Sequence, residues 1–495
     1  MTLLRQVDDG CRTSQNWLFR PAGPIDVLSV AWPLMLSTGL FSITIFVDRM
    51  MLYAYSDQAA AGAMGAGTMF WAVTCLPVGI FGFTSTFVAQ YVGVGRMDRA
   101  MRSVIQGIIM ASATAPILFL LAWQSPQFFG MFHEPALVGP ESSYFQWVSV
   151  GAWATIVTAP LVGLFAGANK TRLLLLCDFF VTILNFVLDL LLIFGYLGFP
   201  RLGIVGAALA TSISLVIKLV LLLVAANYLS WPGQKSLDPH STAVPKRVSL
   251  FSEKWQFDWT ISRRLLHFGW PAGISTLAEA ITFSVIMMVV GQLGERAMAA
   301  TTLALGVNML AFIPMTGLGL SIGVLVGQYL TSGKLELAKR SVRSGLLIAI
   351  TYSTFFAILY GVFPREVLSV YSIGTESYRF DEMKDIVVPI LWFIAVYCIF
   401  DGIQIVFVGA LKGAGDTSFV LIGHILSGFI TIGAGKLLGD YLYGGGGLYW
   451  WWGVMTAWVL VMAVIFASRY LHGGWQNKRV IEPDLSTELS GIEGR

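Results

Sequence analysis

Five acidic residues interrupt long apolar stretches of this 495-residue chain and are its most chemically informative side chains. They are Asp48, Asp178, Asp189, Glu279 and Asp401. An ionisable group at membrane depth is costly unless it is paired or hydrated, so such groups commonly mark ion or substrate pathways. The acids therefore favour a role in binding a coupling ion or a substrate.

Each acid belongs to a polar stripe with helical spacing. Residues three and four positions apart share one face of a helix, so each stripe can face a common cavity. The stripes are Ser37, Thr44 and Asp48; Asp178, Thr182, Asn185 and Asp189; Ser275, Glu279 and Thr282; and Tyr397, Asp401 and Gln404. The alternative is a structural role, with the acids capped by hydroxyls or paired with Lys218. Asp178 differs from the others because its position near a helix end lets it reach solvent, and Lys218 is either a buried counter-ion or a side chain that extends to the membrane surface.

The composition is that of a membrane protein. Hydrophobic residues make up 56% of the chain and charged residues 12%, with a mean hydropathy of +0.73, whereas soluble domains are about 25% charged. The net charge of +3 is too small to indicate a nucleic-acid partner. The four scattered cysteines predict neither a disulfide framework nor a metal site.

Twelve apolar windows are long enough to cross a bilayer, which requires about 20 residues. They must be helices, because lipid offers no hydrogen-bond partner to the backbone. The windows lie near 26–50, 59–90, 101–124, 143–167, 173–196, 203–229, 264–291, 297–330, 340–362, 385–411, 418–439 and 448–471. The second and eighth are overlong, which indicates tilt or water-exposed ends.

The distribution of basic residues predicts the orientation. With the N-terminus in the cytoplasm, all but eight of the 31 Lys and Arg residues lie in cytoplasmic segments, as the positive-inside rule requires. The exceptions are Arg49, Arg201, Lys218, Arg296, Arg365, Arg379, Lys384 and Lys436. No short apolar segment resembling a cleavable signal peptide precedes the first span. We expect a multi-pass protein of the plasma (inner) membrane with both termini in the cytoplasm.

Five segments follow from these spans. They are a cytoplasmic N-terminal segment 1–24, an N-lobe 25–230, a cytoplasmic linker 231–262, a C-lobe 263–471 and a cytoplasmic tail 472–495 that ends in an apparent protease-site scar at 492–495. The linker alternates aromatic and basic residues, so it lies on the membrane surface or is a plain solvated linker. Trp450, Trp451 and Trp452 are expected to form an interfacial aromatic anchor.

Residues 31–107 recur 238 positions later without a gap. Trp32 and Pro33 return as Trp270 and Pro271, and Gln90 returns as Gln328. So long a period indicates duplication of a whole helix bundle. Because each half has six spans, both halves enter the membrane in the same direction. The predicted fold is an all-α polytopic membrane protein with twelve transmembrane helices in two six-helix lobes related by a parallel pseudo-two-fold repeat.

Several motifs together resemble the multidrug and toxic compound extrusion (MATE) transporters, in particular the NorM-like branch. They are Phe46-Val47-Asp48, Val88-Ala89-Gln90 with Gly93 and Gly95, Gly163-Leu164-Phe165-Ala166-Gly167, Asp401-Gly402-Ile403-Gln404 and Gly409-Ala410-Leu411-Lys412-Gly413-Ala414-Gly415-Asp416-Thr417. The similarity covers roughly 25–471. It implies two lobes around a central cavity, alternating access, and cation-coupled export of amphipathic, often cationic organic compounds.

The resemblance also assigns residues. Asp48, Asn185, Asp189 and, more weakly, Thr211 match the family's N-lobe proton or cation site. Glu279, Tyr397 and Asp401, with Gln404 beside them, match the cation or substrate positions of the C-lobe in the NorM-like branch. Na⁺ is a candidate at Asp48, Asn185 and Asp189 or at Glu279 and Asp401. Arg49 departs from the pattern and could hold Asp48 ionised.

The predicted activity is antiport, with H⁺ or Na⁺ and the cargo competing for opposing conformations and with no cofactor. The expected partners are small organic cations and the bilayer, with no nucleic acid, and the chain is expected to be a monomer. The nearest alternative is a flippase for a lipid-linked glycan, although its phosphates would need a basic cavity and the charges at membrane depth here are mostly acidic. A lipid-modifying enzyme is disfavoured because the five histidines lie far apart and mostly at loops or span ends. An ATP-driven pump is disfavoured because no phosphate-binding loop is present, while a channel remains an alternative.

Overall fold

The computed structural model describes residues 17–229, 231, 249–253, 255–369, 377–443 and 445–482. In these ranges the chain is almost wholly helical, and twelve helical segments are long and apolar enough to cross a membrane. The predicted fold class is confirmed. Most of the predicted N-terminal segment, the middle of the linker and the end of the tail, including the scar at 492–495, lie outside the described residues.

Eight helices form the N-lobe. They are α1 (Pro24–Tyr55), α2 (Asp57–Gly82), α3 (Thr84–Gly93), α4 (Met97–Ser112), α5 (Ala115–Phe132), α6 (Pro135–Gly167), α7 (Thr171–Phe194) and α8 (Ile204–Tyr228). The overlong second span is α2 followed by α3, and the third is α4 followed by α5. These pairs reduce the eight helices to six membrane crossings.

Seven helices form the C-lobe. They are α9 (Trp259–Gln292), α10 (Glu295–Thr331), α11 (Leu335–Val362), α12 (Pro364–Ser369), α13 (Ser377–Ala414), α14 (Thr417–Tyr443) and α15 (Leu448–His472). All but the six-residue α12 supply a membrane crossing. The overlong eighth span is the single helix α10.

The turns after α3 and α10 preserve the repeat. Gly95 has φ +73° and Gly333 has φ +74°, a left-handed conformation that glycine adopts without the penalty of a β-carbon. The two glycines are 238 positions apart in the sequence. The duplicated scaffold therefore retains the same helix-ending turn in both lobes.

The alternation of crossings places the start of α1 and the end of α15 on one face of the protein, which we call the terminal face. The opposite face is the far face. At the terminal face the lobes exchange helix halves: Val27, Ala31 and Met35 of α1 pack into the C-lobe core, and Leu265 and Ala272 of α9 pack into the N-lobe core. Each lobe thus buries apolar surface of the other, which favours their association.

Two repeat-related glutamines bond the lobes at the terminal face. Gln90 Nε2 donates to the Gly413 carbonyl at 3.0 Å, and Gln328 Nε2 donates to the Gly167 carbonyl at 2.7 Å. The glutamines differ by the 238-residue repeat, and the glycines differ by the 246-residue offset that relates the later motifs. The same hydrogen bond is therefore made twice, about the pseudo-two-fold axis.

Further hydrogen bonds between the lobes also lie toward the terminal face, among them two that are made by threonines. Thr38 Oγ1 donates to the Ile313 carbonyl at 3.2 Å, and Thr331 Oγ1 donates to the Gln90 carbonyl at 2.9 Å. Toward the far face, α1 and α9 expose large side chains such as Phe46, Met50 and Met288.

The segment after α15 crosses the terminal face, and we call residues 473–482 the strap. Val480 is fully buried; its amide donates to Gln90 Oε1 at 2.8 Å, and its carbonyl accepts from Arg264 Nη2 at 2.7 Å. Lys478 pairs with Asp416 at 2.8 Å. The strap therefore contacts both lobes at the closed face.

The described parts of the linker contact the N-lobe through a few residues, while many of their other side chains are exposed. Leu250 is fully buried, and Gln106 of α4 donates to the Gln256 carbonyl at 2.8 Å. Trp231 is also buried, with the Lys170 ammonium 4.1 Å above its ring. Partial burial lowers the pKa of Lys170, because desolvation disfavours the charged form.

The predicted tryptophan anchor is wrong for two of its three members. Trp451 and Trp452 are 3% and 1% exposed, and Trp452 Nε1 donates to Thr301 Oγ1 at 3.2 Å. Trp450 lies over Gly439 and donates to the Gly435 carbonyl at 2.9 Å. The run was expected at the membrane surface, but helix periodicity turns two of its rings into the C-lobe, where they pack as core residues.

Candidate functional site

Three predicted N-lobe residues meet in the half of the lobe nearest the far face. Asp48 of α1 and Asp189 of α7 are 7% and 0% exposed, and their carboxyl groups are within hydrogen-bonding reach of each other. Thr211 of α8 donates to Asp48 Oδ2 at 3.3 Å. We call Asp48 and Asp189 the acid pair.

The acid pair requires a positive partner. Two ionised carboxylates at this distance repel each other, so the arrangement is stable only when they share a proton or a bound cation. Asp48 Oδ1 and both carboxylate oxygens of Asp189 are buried and accept no hydrogen bond from a described donor. These oxygens have free lone pairs for a proton or for a hard cation such as Na⁺.

Asn185 lies one helical turn from Asp189 on the same face of α7. It is 2% exposed, and its amide nitrogen has no hydrogen-bond acceptor among the described residues. Tyr144 of α6, absent from the sequence prediction, is buried beside the acid pair with its hydroxyl within hydrogen-bonding reach of Thr211. A second ring of polar groups therefore surrounds the two acids.

Arg49 does not neutralise Asp48 by direct contact. Its side chain is exposed, and in the described part of the chain it forms no ion pair with Asp48. Successive helix residues point in different directions, so burial of Asp48 turns Arg49 outward.

Asp178 does not reach solvent as expected, because α1 and α8 cover it. It is 9% exposed, its Oδ1 lies 2.5 Å from Lys218 Nζ, and its Oδ2 accepts a hydrogen bond from Ser37 Oγ. Lys218 is therefore the counter-ion of Asp178 and does not extend to the membrane surface. The pair lies closer to the terminal face than the acid pair does.

The predicted stripe on α13 is buried in the C-lobe. Tyr397, Asp401 and Gln404 are 3%, 8% and 2% exposed, and Gln404 Nε2 donates to Asp401 Oδ1 at 3.3 Å. Asn308 of α10, which the sequence prediction missed, donates to the Tyr397 hydroxyl at 2.7 Å. The side-chain oxygens of Asn308 and Gln404 accept no hydrogen bond from a described donor, so they are available to a cation near Asp401.

Glu279 is the accessible acid of the C-lobe. Its side chain is 35% exposed, and its Oε2 lies 3.6 Å from Nε2 of the buried His424. Glu279 is therefore the predicted C-lobe acid that a molecule outside the helix bundle can reach.

His424 corrects the expectation that histidines lie mostly at loops or span ends. It lies inside α14, 1% exposed, with Nδ1 2.8 Å from the Val420 carbonyl. At the 246-residue offset its counterpart is Asp178. The sequence could have indicated His424 through this alignment, since both positions carry an ionisable group.

Tyr144 and Asn308 gave a weaker signal, because each is one polar residue in an apolar helix.

The predicted site residues thus form two separate groups, one in each lobe. The N-lobe group is enclosed, whereas the C-lobe group includes a reachable acid. In the described ranges no three His, Cys, Asp or Glu side chains are grouped as a metal site.

Comparison with known proteins gives a consistent result. The sequence model of the MatE family matches the chain twice, at residues 33–191 and 271–433, which together make up more than half of it. The chain is 26% identical over 462 residues to the "Probable multidrug resistance protein NorM" of Pseudomonas putida, covering 92% of this chain and 95% of that protein. It is 25% identical over 478 residues to a protein of the same description from Thermotoga maritima, covering 94% and 96%.

Solved structures share the fold. A structure described as the outward-facing conformation of a multidrug resistance MATE family transporter of the MOP superfamily superimposes with a TM-score of 0.77. It covers 93% of this chain and 97% of that chain, at 18% sequence identity. The similarity extends across both lobes.

Proposed function

Because the chain belongs to the MATE family and to its NorM-like branch, and is thus a secondary transporter and not an enzyme, we propose that it is a cation-coupled multidrug antiporter. Its cargo would be amphipathic organic cations and its coupling ion H⁺ or Na⁺. The observation that carries the proposal is the acid pair: two buried carboxylates within hydrogen-bonding reach that need a positive partner.

The terminal face is proposed to be the cytoplasmic face of the inner membrane, as the basic residues indicate. We then infer an outward-facing state, because the hydrogen bonds between the lobes lie toward the terminal face and large side chains of α1 and α9 are exposed toward the far face. In this state the acid pair would take its cation from outside. Asp48 lies seven residues before the end of α1 and Asp189 five before the end of α7, about 10 Å or less along each helix.

Binding of a monovalent cation removes one unit of negative charge from the acid pair and relieves the repulsion between the two carboxylates. The N-lobe helices α1, α7 and α8 can then repack around the less charged site, which biases the lobes toward the alternative arrangement. A ligand shifts such an equilibrium only through its different affinity for the two states. The coupling ion would therefore favour the state that releases it inside, and the cargo the state that releases it outside.

Cargo is proposed to bind at the C-lobe. Glu279 presents a carboxylate to the space between the lobes, and Asp401 adds negative charge behind it. Aromatic and aliphatic side chains on the exposed face of α1, such as Phe46 and Met50, would contact the apolar part of the cargo. Such a surface selects charge and hydrophobicity loosely, as broad export requires.

Transport in reconstituted vesicles tests the proposal. A cationic dye is loaded in purified proteoliposomes of one orientation, and its release is followed with ΔpH alone, then with ΔNa⁺ alone. We expect one gradient, directed against the dye flux, to accelerate release at least several-fold over no gradient. If neither gradient has an effect, the antiporter is excluded, and a flippase assay with a fluorescent lipid-linked glycan becomes the appropriate measurement.

A further inference from the structure

A buried cluster of charges in the N-lobe has no part in the proposed exchange. Lys218 of α8 pairs with Asp178 of α7 at 2.5 Å, and Ser37 of α1 donates a hydrogen bond to the same carboxylate. Asp178 is 9% exposed and the Lys218 side chain 22%. Lys218 lies ten residues before the end of α8, about 15 Å along the helix from the terminal face.

This cluster lies in line with the acid pair. Helices α1 and α7 run in the same direction, and their facing polar residues form successive contacts. From the terminal side these contacts are Ser37 with Asp178, Thr44 with Thr182 at 3.2 Å, and Asp48 with Asp189. We call these six residues the polar ladder. Lys218 therefore holds a positive charge at the terminal end of a ladder whose other end is the acid pair.

The scaffold does not require this cluster. At the 246-residue offset the C-lobe has His424 in place of Asp178. Helices α8 and α15 begin and end 244 residues apart, so the counterpart of Lys218 is the buried Met462. The C-lobe thus packs the corresponding helices with an apolar residue at the lysine position. A buried ion pair is commonly replaceable by apolar residues without loss of stability, so its presence in one lobe points to a role in that lobe.

We propose that Lys218 is an inner electrostatic gate that prevents the coupling cation from passing through the N-lobe to the terminal face. The inference rests on the proposed function, in which the acid pair binds that cation. A fixed positive charge in a narrow, poorly hydrated passage raises the energy of any second cation there. Asp178 holds the ammonium in place, and Ser37 holds Asp178. Without the ammonium, the hydroxyls and carboxylates of the ladder provide a cation with oxygen atoms along much of the route.

The gate has a functional reason. In the closed-terminal state the acid pair exchanges its cation with the far side, and a passage to the terminal face would discharge the gradient without moving cargo. Alternating access must block that passage in this state. The apolar contacts between the lobes block the central route, and Lys218 blocks the route inside the N-lobe.

The test measures cation leak without cargo. Proteoliposomes containing a pH-sensitive or Na⁺-sensitive dye receive an inward H⁺ or Na⁺ gradient, and the flux is compared for wild type, Lys218→Met and Lys218→Arg. We expect Lys218→Met to leak at least five-fold faster than wild type. Lys218→Arg keeps the charge and should remain as tight as wild type. Equal flux in all three proteins overturns the inference.

Two double variants distinguish a gating role of Lys218 from a purely structural role of its ion pair with Asp178. Lys218→Met with Asp178→Asn removes both charges, so no unpaired charge stays buried; the leak should persist, because the ammonium is still missing. If this double variant does not leak, the leak of Lys218→Met comes from the unpaired charge of Asp178, and the gate is contradicted. Lys218→Met with Asp189→Asn should leak much less than Lys218→Met, because the route passes through the acid pair, and an undiminished leak contradicts the route.

Cargo exchange by wild type separates this inference from the proposed function. If wild type exchanges cargo for a cation and Lys218→Met does not leak, the gate alone is wrong. If wild type shows no such exchange, the antiporter proposal fails. Dye-binding affinity and a monodisperse elution profile are measured for each variant to confirm that it is folded. A leak that is caused by misfolded protein is thereby excluded.

Discussion

The two lobes have the same scaffold and different chemistry. Both make the same glutamine-to-glycine hydrogen bond across the interface, and both end the corresponding span with a glycine of φ near +73°. The acids are not duplicated: in the repeat registers Asp48 corresponds to Ile286, Glu279 to Phe41 and Asp401 to Thr155. The features that hold the lobes together were kept in both copies, whereas the ionisable residues are specific to one copy.

The acids of the two lobes also differ in their accessibility. The acid pair is at most 7% exposed and its members interact directly, while Glu279 is 35% exposed and stands apart from Asp401. An enclosed pair suits a small ion that can lose its water, and a reachable acid suits an organic cation that keeps part of its surface outside. The comparison is the basis of the proposed division of roles, with ion coupling in the N-lobe and cargo recognition in the C-lobe.

Neutralising the acid pair should have the largest effect. We expect Asp189→Asn to reduce gradient-driven dye export by on the order of 100-fold, the upper range of coupling between two sites, while dye affinity changes little. The measurement is initial export rate and dye binding in vesicles. Asp440→Asn, which changes an exposed acid of α14, is the matched control. Export that persists with full gradient dependence would remove the N-lobe from coupling.

Removing the glutamine side chains that bond the lobes should destabilise the protein more at Gln90 than at Gln328. Gln90→Leu leaves the Gly413 carbonyl and the Val480 amide without their partner, and each such loss costs about 1–3 kcal/mol. Gln328 also makes two side-chain bonds, to the Gly167 carbonyl and from Asn169 Nδ2 at 3.0 Å, but Gln328 and Asn169 are only partly buried, so water can replace the lost partners more readily. Gln90→Leu should therefore lower the unfolding free energy by about 2 kcal/mol more than Gln328→Leu does, measured by thermal unfolding in detergent. Equal losses would mean that the strap adds nothing to the interface.

Removing the reachable acid should weaken cargo binding. We expect Glu279→Gln to raise the KM for a cationic dye about ten-fold, equivalent to about 1.4 kcal/mol, with the dependence on the ion gradient preserved. A neutral dye of similar size should be affected less. Glu295→Gln, at the exposed start of α10, is the control. If Glu279→Gln abolishes gradient dependence and leaves KM unchanged, the division of roles between the lobes is reversed.

The smallest effect is expected at the hydroxyl beside the acid pair. Thr211 donates to Asp48 at 3.3 Å, near the long end for a hydrogen bond. Thr211→Val should change the apparent affinity for the coupling ion by about five-fold, or about 1 kcal/mol, and Thr211→Ser should restore it. The readout is export rate against ion concentration. A valine variant identical to wild type would show that Tyr144 and Asn185 suffice around the pair.

Whether a site residue could be predicted from the sequence depended on its residue type. The acids were identifiable because a charge in an apolar helix is costly and therefore conspicuous, and helical spacing placed Gln404 on the same face as Asp401. Tyr144, Asn308 and His424 were missed because polar residues that can be neutral occur in membrane helices for many reasons. The direction of Arg49 and the packing of Trp451 and Trp452 depended on helix rotation, which composition does not define.

The sequence by itself determined the class of protein, its twelve spans and the duplicated plan, because lipid allows few backbone structures and a repeat of 238 residues has few explanations. It also determined which residues carry charge at membrane depth. Only the tertiary structure decided which charges meet. Asp48 meets Asp189 across 141 positions of sequence, and Lys218 meets Asp178 because α7 and α8 pack with α1. Pairing depends on helix rotation and on close packing between distant segments, and neither is encoded in the spacing of one helix.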